Sequence, residues 1–232
     1  YALPTNNVVN DFVKPKVNPL ITSNPKIAAI VSEDSVSLKK VGDRFIFFKG
    51  GYSDREAISI TGDILVIDEY DRMPSIQVVN TFDSRLQASK NPKRRRFSNP
   101  SAVGAGVDAL YTDSDQMHWM VTCESCGHTI YMDFAREVLQ IGLKTIHTHY
   151  VDQERVVYAC GECRAEISDR ARRNGEWKAK YPHRKRRGYW ISQMMAPWVT
   201  AERILQQKEE SSTEFFHNFV LGKAYTPSDL LV

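Results

Sequence analysis

Apolar positions along the chain fall into blocks of differing period. The sharpest is Ile64-Leu65-Val66-Ile67, which follows Gly62-Asp63 and leads directly into Asp68-Glu69. An apolar run without polar alternation is the pattern of a strand buried on both faces of a parallel sheet, so this block predicts such a strand, ended by two carboxylates. Val8, Val9, Phe12 and Val13 share one face at helical spacing and predict a helix over residues 7–14. Val78, Val79, Phe82 and Leu86 do the same over 76–89. Tyr1-Ala2-Leu3-Pro4 reads as the tail of a strand entering a turn. Arg44 to Lys49 reads as one strand, at a hairpin edge, stopped by Gly50-Gly51. Pro19, Asn24-Pro25 and Gly42 punctuate the stretch between them. Further on, Tyr131, Tyr150, Val156, Val157 and Tyr158 suit short strands within residues 130–158. Thr200 is placed to cap a helix running to Glu210. Ser211 and Glu214 have capping-box spacing for another that carries Phe215, Phe216, Phe219 and Val220 into a core.

These elements describe a mixed α/β chain with a parallel sheet. Its 232 residues, 42% hydrophobic and 25% charged with 12 Gly and 10 Pro, suit one large domain or a domain plus a small module, and exclude wholesale disorder or a collagen repeat. No apolar run approaches the roughly 18 residues of a membrane span, and the expected compartment is the cytosol.

Charge changes the picture through its distribution. Lys and Arg number 31 against 28 acids, a net +3, but residues 84–96 hold six bases and no acid, and residues 170–187 hold nine against Glu176 alone. One such run is ordinarily a solvated face. Two in one chain point to a polyanion, with Lys93, Arg94, Arg95, Arg96, Arg184, Lys185, Arg186 and Arg187 as candidate nucleic-acid contacts. Point charges without an evident recognition helix imply contact with phosphates and not with bases.

The four cysteines add a second chemistry. Cys123 and Cys126, then Cys160 and Cys163, form two C-x2-C pairs separated by 33 residues, with none left over. Each pair on a tight turn occupies two corners of a tetrahedron, which predicts one structural zinc. Disulfides are the competing use, disfavoured in a reducing compartment. His118 and His128 flank the first pair, but four thiolates already close a site, so the metal builds a fold and catalyses nothing.

The carboxylates after the apolar block carry the third. In open α/β sheets ligands gather at the carboxyl ends of strands, and in nucleoside triphosphatases the Asp of such a Walker B strand serves the magnesium shell. Asp68 fits that place, and Glu69 fits the base that polarises water. The plainer alternative is an apolar strand that merely ends in an acidic turn.

Taken in order, the strand ending Leu3-Pro4-Thr5, the Walker B block Ile64 to Glu69, Ser98-Asn99-Pro100, Cys123-x2-Cys126 with Gly127-His128, Cys160-x2-Cys163, Asn174-Gly175-Glu176-Trp177 and Phe219-Val220-Leu221-Gly222-Lys223 resemble the large terminase subunits of tailed bacteriophages, in the lambda-type branch. The resemblance covers nearly the whole chain. It implies part of a P-loop NTPase-type parallel sheet with a zinc-ribbon-like insertion. It also implies an ATP- and magnesium-dependent motor that threads double-stranded DNA into a capsid in the host cytoplasm, as a homo-oligomeric ring on the portal with a small terminase subunit. By position it gives Asp68 to magnesium, Glu69 to water activation, Ser98 and Asn99 to coupling, and Arg55 to an arginine finger. The segments it implies are a partial ATPase core over 1–115, a zinc-ribbon-like module over 116–168, and a basic segment with C-terminal helices over 169–232.

Three departures accompany it. No G-x-x-x-x-G-K-[ST] occurs, and the only Gly-Lys, Gly222-Lys223, is followed by Ala224. In the family that loop precedes the strand at Tyr1, so the sequence reads as a piece of a longer protein, inactive toward ATP by itself. Lys39 or Lys40 could approach a nucleotide, but a point charge does not replace a ring of amides. The family's nuclease domain is also missing from this stretch, and the family's apolar strand before Ser98 is replaced by Lys93-Arg94-Arg95-Arg96. The reading from a different class is a zinc-containing nucleic-acid-binding module without hydrolysis. A nuclease is more remote, since no acidic cluster beyond Asp68 and Glu69 stands out.

Overall fold

A computed structural model describes residues 1–58, 60–134, 147–150, 153–163 and 165–227. The chain forms two compact units, Tyr1–Ser98 and Asn99–Val232.

The first unit is built on a parallel sheet of β1 (Ala2–Leu3), β5 (Lys49–Gly50), β6 (Ile64–Ile67) and β7 (Lys93–Arg96), in the order β5-β1-β6-β7. The apolar block is thus an inner strand, hydrogen-bonded on both sides. Its burial is one-sided, against expectation. Leu65 and Ile67 are buried with Val78, Val79 and Phe82 of the helix Ile76–Ser84, while Ile64 is 60% exposed. One helix face covers one sheet face, so alternate residues of β6 differ in burial.

The basic run 93–96 forms the edge strand beside β6, in register from Ile64↔Lys93 to Ile67↔Arg96. An apolar strand is dispensable at this edge because Asp83 of the helix accepts from both Arg94 (3.0 Å) and Arg96 (2.5 Å), and the Arg96 guanidinium lies 5.4 Å from the Tyr70 ring.

The first helix starts where expected, Asn6–Phe12 with Thr5 as its cap, but it does not stop at Lys14. It widens into a π-helical turn, Val13–Val17, and continues as Asn18–Thr22. The wider turn accommodates Pro15, which has no N–H to give, and Pro19 sits in the first turn of the next helix, where its missing donor costs little. The expected strand 44–49 divides in two. β4 (Arg44–Phe47) closes an antiparallel meander with β2 (Val31–Asp34) and β3 (Leu38–Val41), whereas β5 joins the parallel sheet. Phe48 between them is buried with Leu3, Val9 and Val13, and that burial turns the chain.

The second unit centres on an antiparallel sheet of β8 (Met117–Thr122), β9 (Thr129–Tyr131) and β12 (Glu176–Ala179), in the order β12-β8-β9. β10 (His147–Tyr150) and β11 (Gln153–Val156) pair antiparallel as a separate two-stranded sheet, in keeping with the expected short strands; residues 135–146, 151–152 and 164 of the expected module lie outside the described residues. Val121, Cys123, Tyr158 and Cys160 share one core with Ile204 of the helix Ala201–Glu210 and with Phe216 and Val220 of the π-helical turn Phe216–Leu221. Segments 116–168 and 169–232 are therefore parts of one folding unit, and the first unit ends at Ser98, not near residue 115.

Gly222, at φ 64°, ends that turn in the left-handed region, where a Cβ would also collide with the Ile191 carbonyl oxygen. Gly175 has no room either, since a Cβ there would meet the Trp119 ring at 2.5 Å. Close packing accounts for both glycines of the Gly-Glu-Trp and Gly-Lys elements.

Candidate functional site

Asp68 stands at the carboxyl end of β6, where its backbone N–H donates to the Ala2 carbonyl at 2.9 Å. Its carboxylate is held from two directions. The Tyr1 hydroxyl donates to Oδ2 at 2.6 Å and the Glu69 backbone N–H donates to Oδ1 at 3.0 Å. Tyr1 is positioned by a stack on Phe12, 5.1 Å between ring centres. Burial raises the Tyr1 phenol above its ordinary value, and the bond to Asp68 raises it further, so the hydroxyl keeps its proton and remains a donor.

Glu69 adopts φ 52°, ψ 46°, left-handed backbone for a residue that is not glycine. Such a conformation costs on the order of 1–3 kcal/mol and persists where the surroundings enforce it. The enforcing contacts follow at once: the Tyr70 N–H donates to the Phe97 carbonyl at 2.9 Å, and the Asp71 N–H to Ser98 Oγ at 3.2 Å. The turn after Glu69 is therefore tied to the chain leaving β7. Glu69 Oε2 is buried with no hydrogen-bond partner among the described residues, and Arg72 Nε lies 3.4 Å away in ion-pair range.

Of the residues singled out from sequence, Asp68, Glu69 and Ser98 are thus joined by one turn. Arg55 lies exposed on the 3-10 turn Asp54–Ala57, and Asn99 is the first residue of the second unit. Tyr1 was not foreseen. It sits 67 residues from Asp68 with no motif around it, and only sheet pairing brings the two together. Lys39 is buried against Asp34 and donates to Asn18 at 3.0 Å, and Lys40 lies over the Phe45 ring, so both serve the meander.

The four cysteines form the second centre. Their Sγ atoms all lie within 4.8 Å of one another, Cys123 to Cys163 at 3.7 Å and Cys126 to Cys160 at 3.8 Å. These separations are far beyond a sulfur–sulfur bond of about 2.05 Å. They match the edge of a tetrahedron with metal–sulfur bonds near 2.3 Å, about 3.8 Å. Each pair sits at a hairpin turn: the Cys123 N–H donates to the His128 carbonyl at 2.8 Å, and the Cys160 N–H to the Ala165 carbonyl at 2.8 Å. Gly127, at φ 75°, makes the first turn possible. The Ala165 backbone N–H and the neighbouring thiols lower the Cys163 thiol to about 7, while Cys126, against the bond from the His128 backbone, is pushed up to about 12 by the neighbouring thiols and burial. Neither histidine joins the cluster among the described residues. His128 lies 3.8 Å from Glu162, and His118 packs among Tyr131 and Trp190.

The basic residues separate into two kinds. Arg94 and Arg96 are committed to Asp83, and Arg184 donates to the carbonyls of Thr112 (2.6 Å) and Ser114 (2.9 Å) while lying 4.0 Å from the Tyr181 ring. These three build the fold, which their place in basic runs concealed. Lys93, Arg95, Lys185 and Arg187 are exposed, and Arg186 is exposed within 3.8 Å of Asp113. Among the described residues no helix is long and apolar enough to cross a membrane.

The family model for the phage terminase large subunit gpA, ATPase domain, matches residues 1–190. Among solved structures, the chain is similar to the large terminase from a thermophilic bacteriophage, with 16% identity and a TM-score of 0.37; the likeness covers 48% of this chain and 28% of that one. Comparison with curated proteins gives no significant match.

Proposed function

This chain belongs to the phage terminase large subunit gpA ATPase-domain family, and from that premise we propose that it carries the magnesium-shell carboxylate, catalytic base and coupling contact of an ATP-driven DNA-packaging motor. The observation that supports this most is the pairing of an oriented Asp68 with a Glu69 whose Oε2 is buried without a hydrogen bond, at the carboxyl end of an inner parallel strand. A carboxylate oxygen that accepts no hydrogen bond, and is held only by the 3.4 Å ion pair with Arg72, keeps lone pairs for a water molecule.

In this reading ATP with magnesium, when bound, supplies the phosphoryl group and the cation that offsets its charge. Asp68 presents its remaining lone pairs to the magnesium shell. Glu69 accepts the proton of the attacking water. Ser98 holds the turn through Asp71, so displacement of Glu69 moves the strand end that leads into the second unit. Arg55 is the proposed arginine finger. The exposed Lys93, Arg95, Lys185, Arg186 and Arg187 contact DNA phosphates. A ring on the portal and a small terminase subunit are the corresponding partners, and host cytoplasm the compartment. Family membership favours this reading over a zinc-containing module without hydrolysis.

Cys123, Cys126, Cys160 and Cys163 are proposed to hold one zinc as a zinc-ribbon-like element, because their mutual distances suit a tetrahedron.

The deciding experiment compares two variants of the longer protein. Glu69→Gln is expected to lower turnover about 10²–10⁴-fold with ATP still bound, as for loss of a general base. Asp68→Asn is expected to weaken magnesium-nucleotide binding itself. A fully active Glu69→Gln would remove the assignment. The 232-residue chain by itself is expected to show no ATP turnover, and turnover abolished by Glu69→Gln would mean that the chain supplies its own phosphate site.

A further inference from the structure

We propose that the open face of the sheet β12-β8-β9 is a stacking platform for the unpaired bases of single-stranded DNA. This rests on the nucleic-acid reading above and narrows it to a strand with exposed base faces.

Alternation along β8 sorts its side chains between two faces. Val121 is fully buried, Met117 nearly so, and Trp119 packs against the same core, so His118 and Met120 point to the other side. Cross-strand register sets Lys178 opposite His118, and both Glu176 and Tyr131 opposite Met120. The outer face of such a sheet is ordinarily polar. Here it carries rings. His118 and Tyr131 lie 4.7 Å apart, Trp190 lies 5.8 Å from His118 and 6.1 Å from Tyr131, and Tyr111 lies 6.3 Å from His118. Tyr131 is 42% exposed, whereas Trp190 is 7% exposed and its indole N–H donates to the Leu221 carbonyl at 2.9 Å, so Tyr131 is the ring presented to solvent and Trp190 backs it.

His118 behaves as a neutral ring. Its Nδ1 is 2.9 Å from the Gln116 carbonyl and so carries the proton, which leaves Nε2 to accept from the Tyr111 hydroxyl at 3.4 Å. Burial lowers its pKa. Lys180 joins the same end of the sheet through its backbone N–H, which donates to the Gln116 carbonyl at 3.2 Å. Lys223 lies 5.1 Å from the Trp190 ring. The acids on this face are partnered, Glu176 with Lys178 at 2.7 Å and Asp133 with Lys223. The second basic run leads onto the face, because the Met117 N–H donates to the Gly188 carbonyl (2.7 Å) and the Trp190 N–H to the Met117 carbonyl (3.3 Å).

An exposed ring offers a single strand what a duplex cannot use, a flat surface for a base face, with Lys180 for the adjoining phosphate while Lys178 and Lys223 are engaged by Glu176 and Asp133. A duplex would meet only the cations.

The test is fluorescence anisotropy of the zinc-loaded chain with labelled oligothymidine of about 12 nucleotides, within the usual site size for such surfaces, and with a duplex of equal length. The single strand is expected to bind more tightly. Tyr131→Ala should weaken it roughly tenfold while leaving duplex binding unchanged, Tyr131→Phe should restore it, and Lys180→Gln should lower the salt slope for both ligands. Photocrosslinking of bromodeoxyuridine oligomers to the unmodified chain should mark Tyr131, a readout independent of any variant's folding. Equal affinity for Tyr131→Ala and the unmodified chain, or crosslinks confined to residues 93–96 and 184–187, would overturn the platform. In that outcome duplex binding through the basic runs would still stand or fall separately.

Discussion

The Arg172 guanidinium lies 4.3 Å from the Tyr158 ring, and its side chain is only 2% exposed. From there it donates to the carbonyls of Met194 (3.0 Å), Ala196 (2.9 Å), Pro197 (3.0 Å) and Val199 (3.2 Å), and to Asp169 Oδ1 at 2.7 Å. Tyr158 donates to the same Val199 carbonyl at 3.2 Å, and burial pushes its phenol up to about 12, so it stays protonated. The two terminal nitrogens of a planar fork meet this arrangement, with Nε left unpartnered among the described residues, and an ammonium does not. Arg172→Lys is expected to destabilise the second unit by about 1–3 kcal/mol, the scale for leaving buried carbonyls without a donor, without loss of phosphate contacts. Urea midpoints together with DNA affinity check this, and an unchanged midpoint would refute it.

Asp83 accepts hydrogen bonds from two arginines at once, one on each carboxylate oxygen, so the run 93–96 divides by role. Arg96→Gln is expected to lower stability by about 1–2 kcal/mol, as for a hydrogen bond to a charged group, with DNA affinity little altered. Lys93→Gln and Arg95→Gln are expected to behave oppositely, each reducing the salt slope of binding by about one. Salt titrations beside melting curves separate the two patterns. Equal slopes for all three variants would mean that exposure does not govern contact.

Removing the metal should unfold the cysteine hairpins and loosen the core they share, since Cys123 and Cys160 are buried within it. Structural zinc supplies folding free energy on the order of 10 kcal/mol in small modules. Elemental analysis is expected to give one zinc per chain, and Cys160→Ser to lower the melting temperature sharply. A metal-free chain with unchanged melting would contradict the tetrahedral assignment.

His118 and His217 are both held below their ordinary 6.5, first by burial. The unfolded chain therefore takes up protons more readily than the folded one as pH falls through 6.5, so stability present above that value is lost progressively below it. His118→Gln should flatten this acid-side loss when melting is followed across pH. An equally steep loss in the variant would place the titration elsewhere.

Elements whose cause is local were legible before any folding was considered. The apolar block Ile64–Ile67 makes a strand wherever it is placed, Asp68 and Glu69 follow it by chain order, and Thr200 caps the helix beginning at Ala201 through a contact three residues long. The C-x2-C spacing likewise prepares each half of a tetrahedron, because two residues suffice to turn the chain. The bacteriophage terminase resemblance rested on the order of such local motifs, and the family match carries it. Long-range packing was needed to settle which halves meet, that Tyr1 holds Asp68 across 67 positions, and that Glu69 bends into left-handed backbone under the pull of Phe97 and Ser98. The same packing gives Arg94, Arg96, Arg172 and Arg184 partners inside the fold: Asp83 for the first two, backbone carbonyls for the others. A charge run records how many cations there are; whether a cation finds a carboxylate, a ring or a carbonyl depends on segments distant in sequence, and burial makes those pairings obligatory.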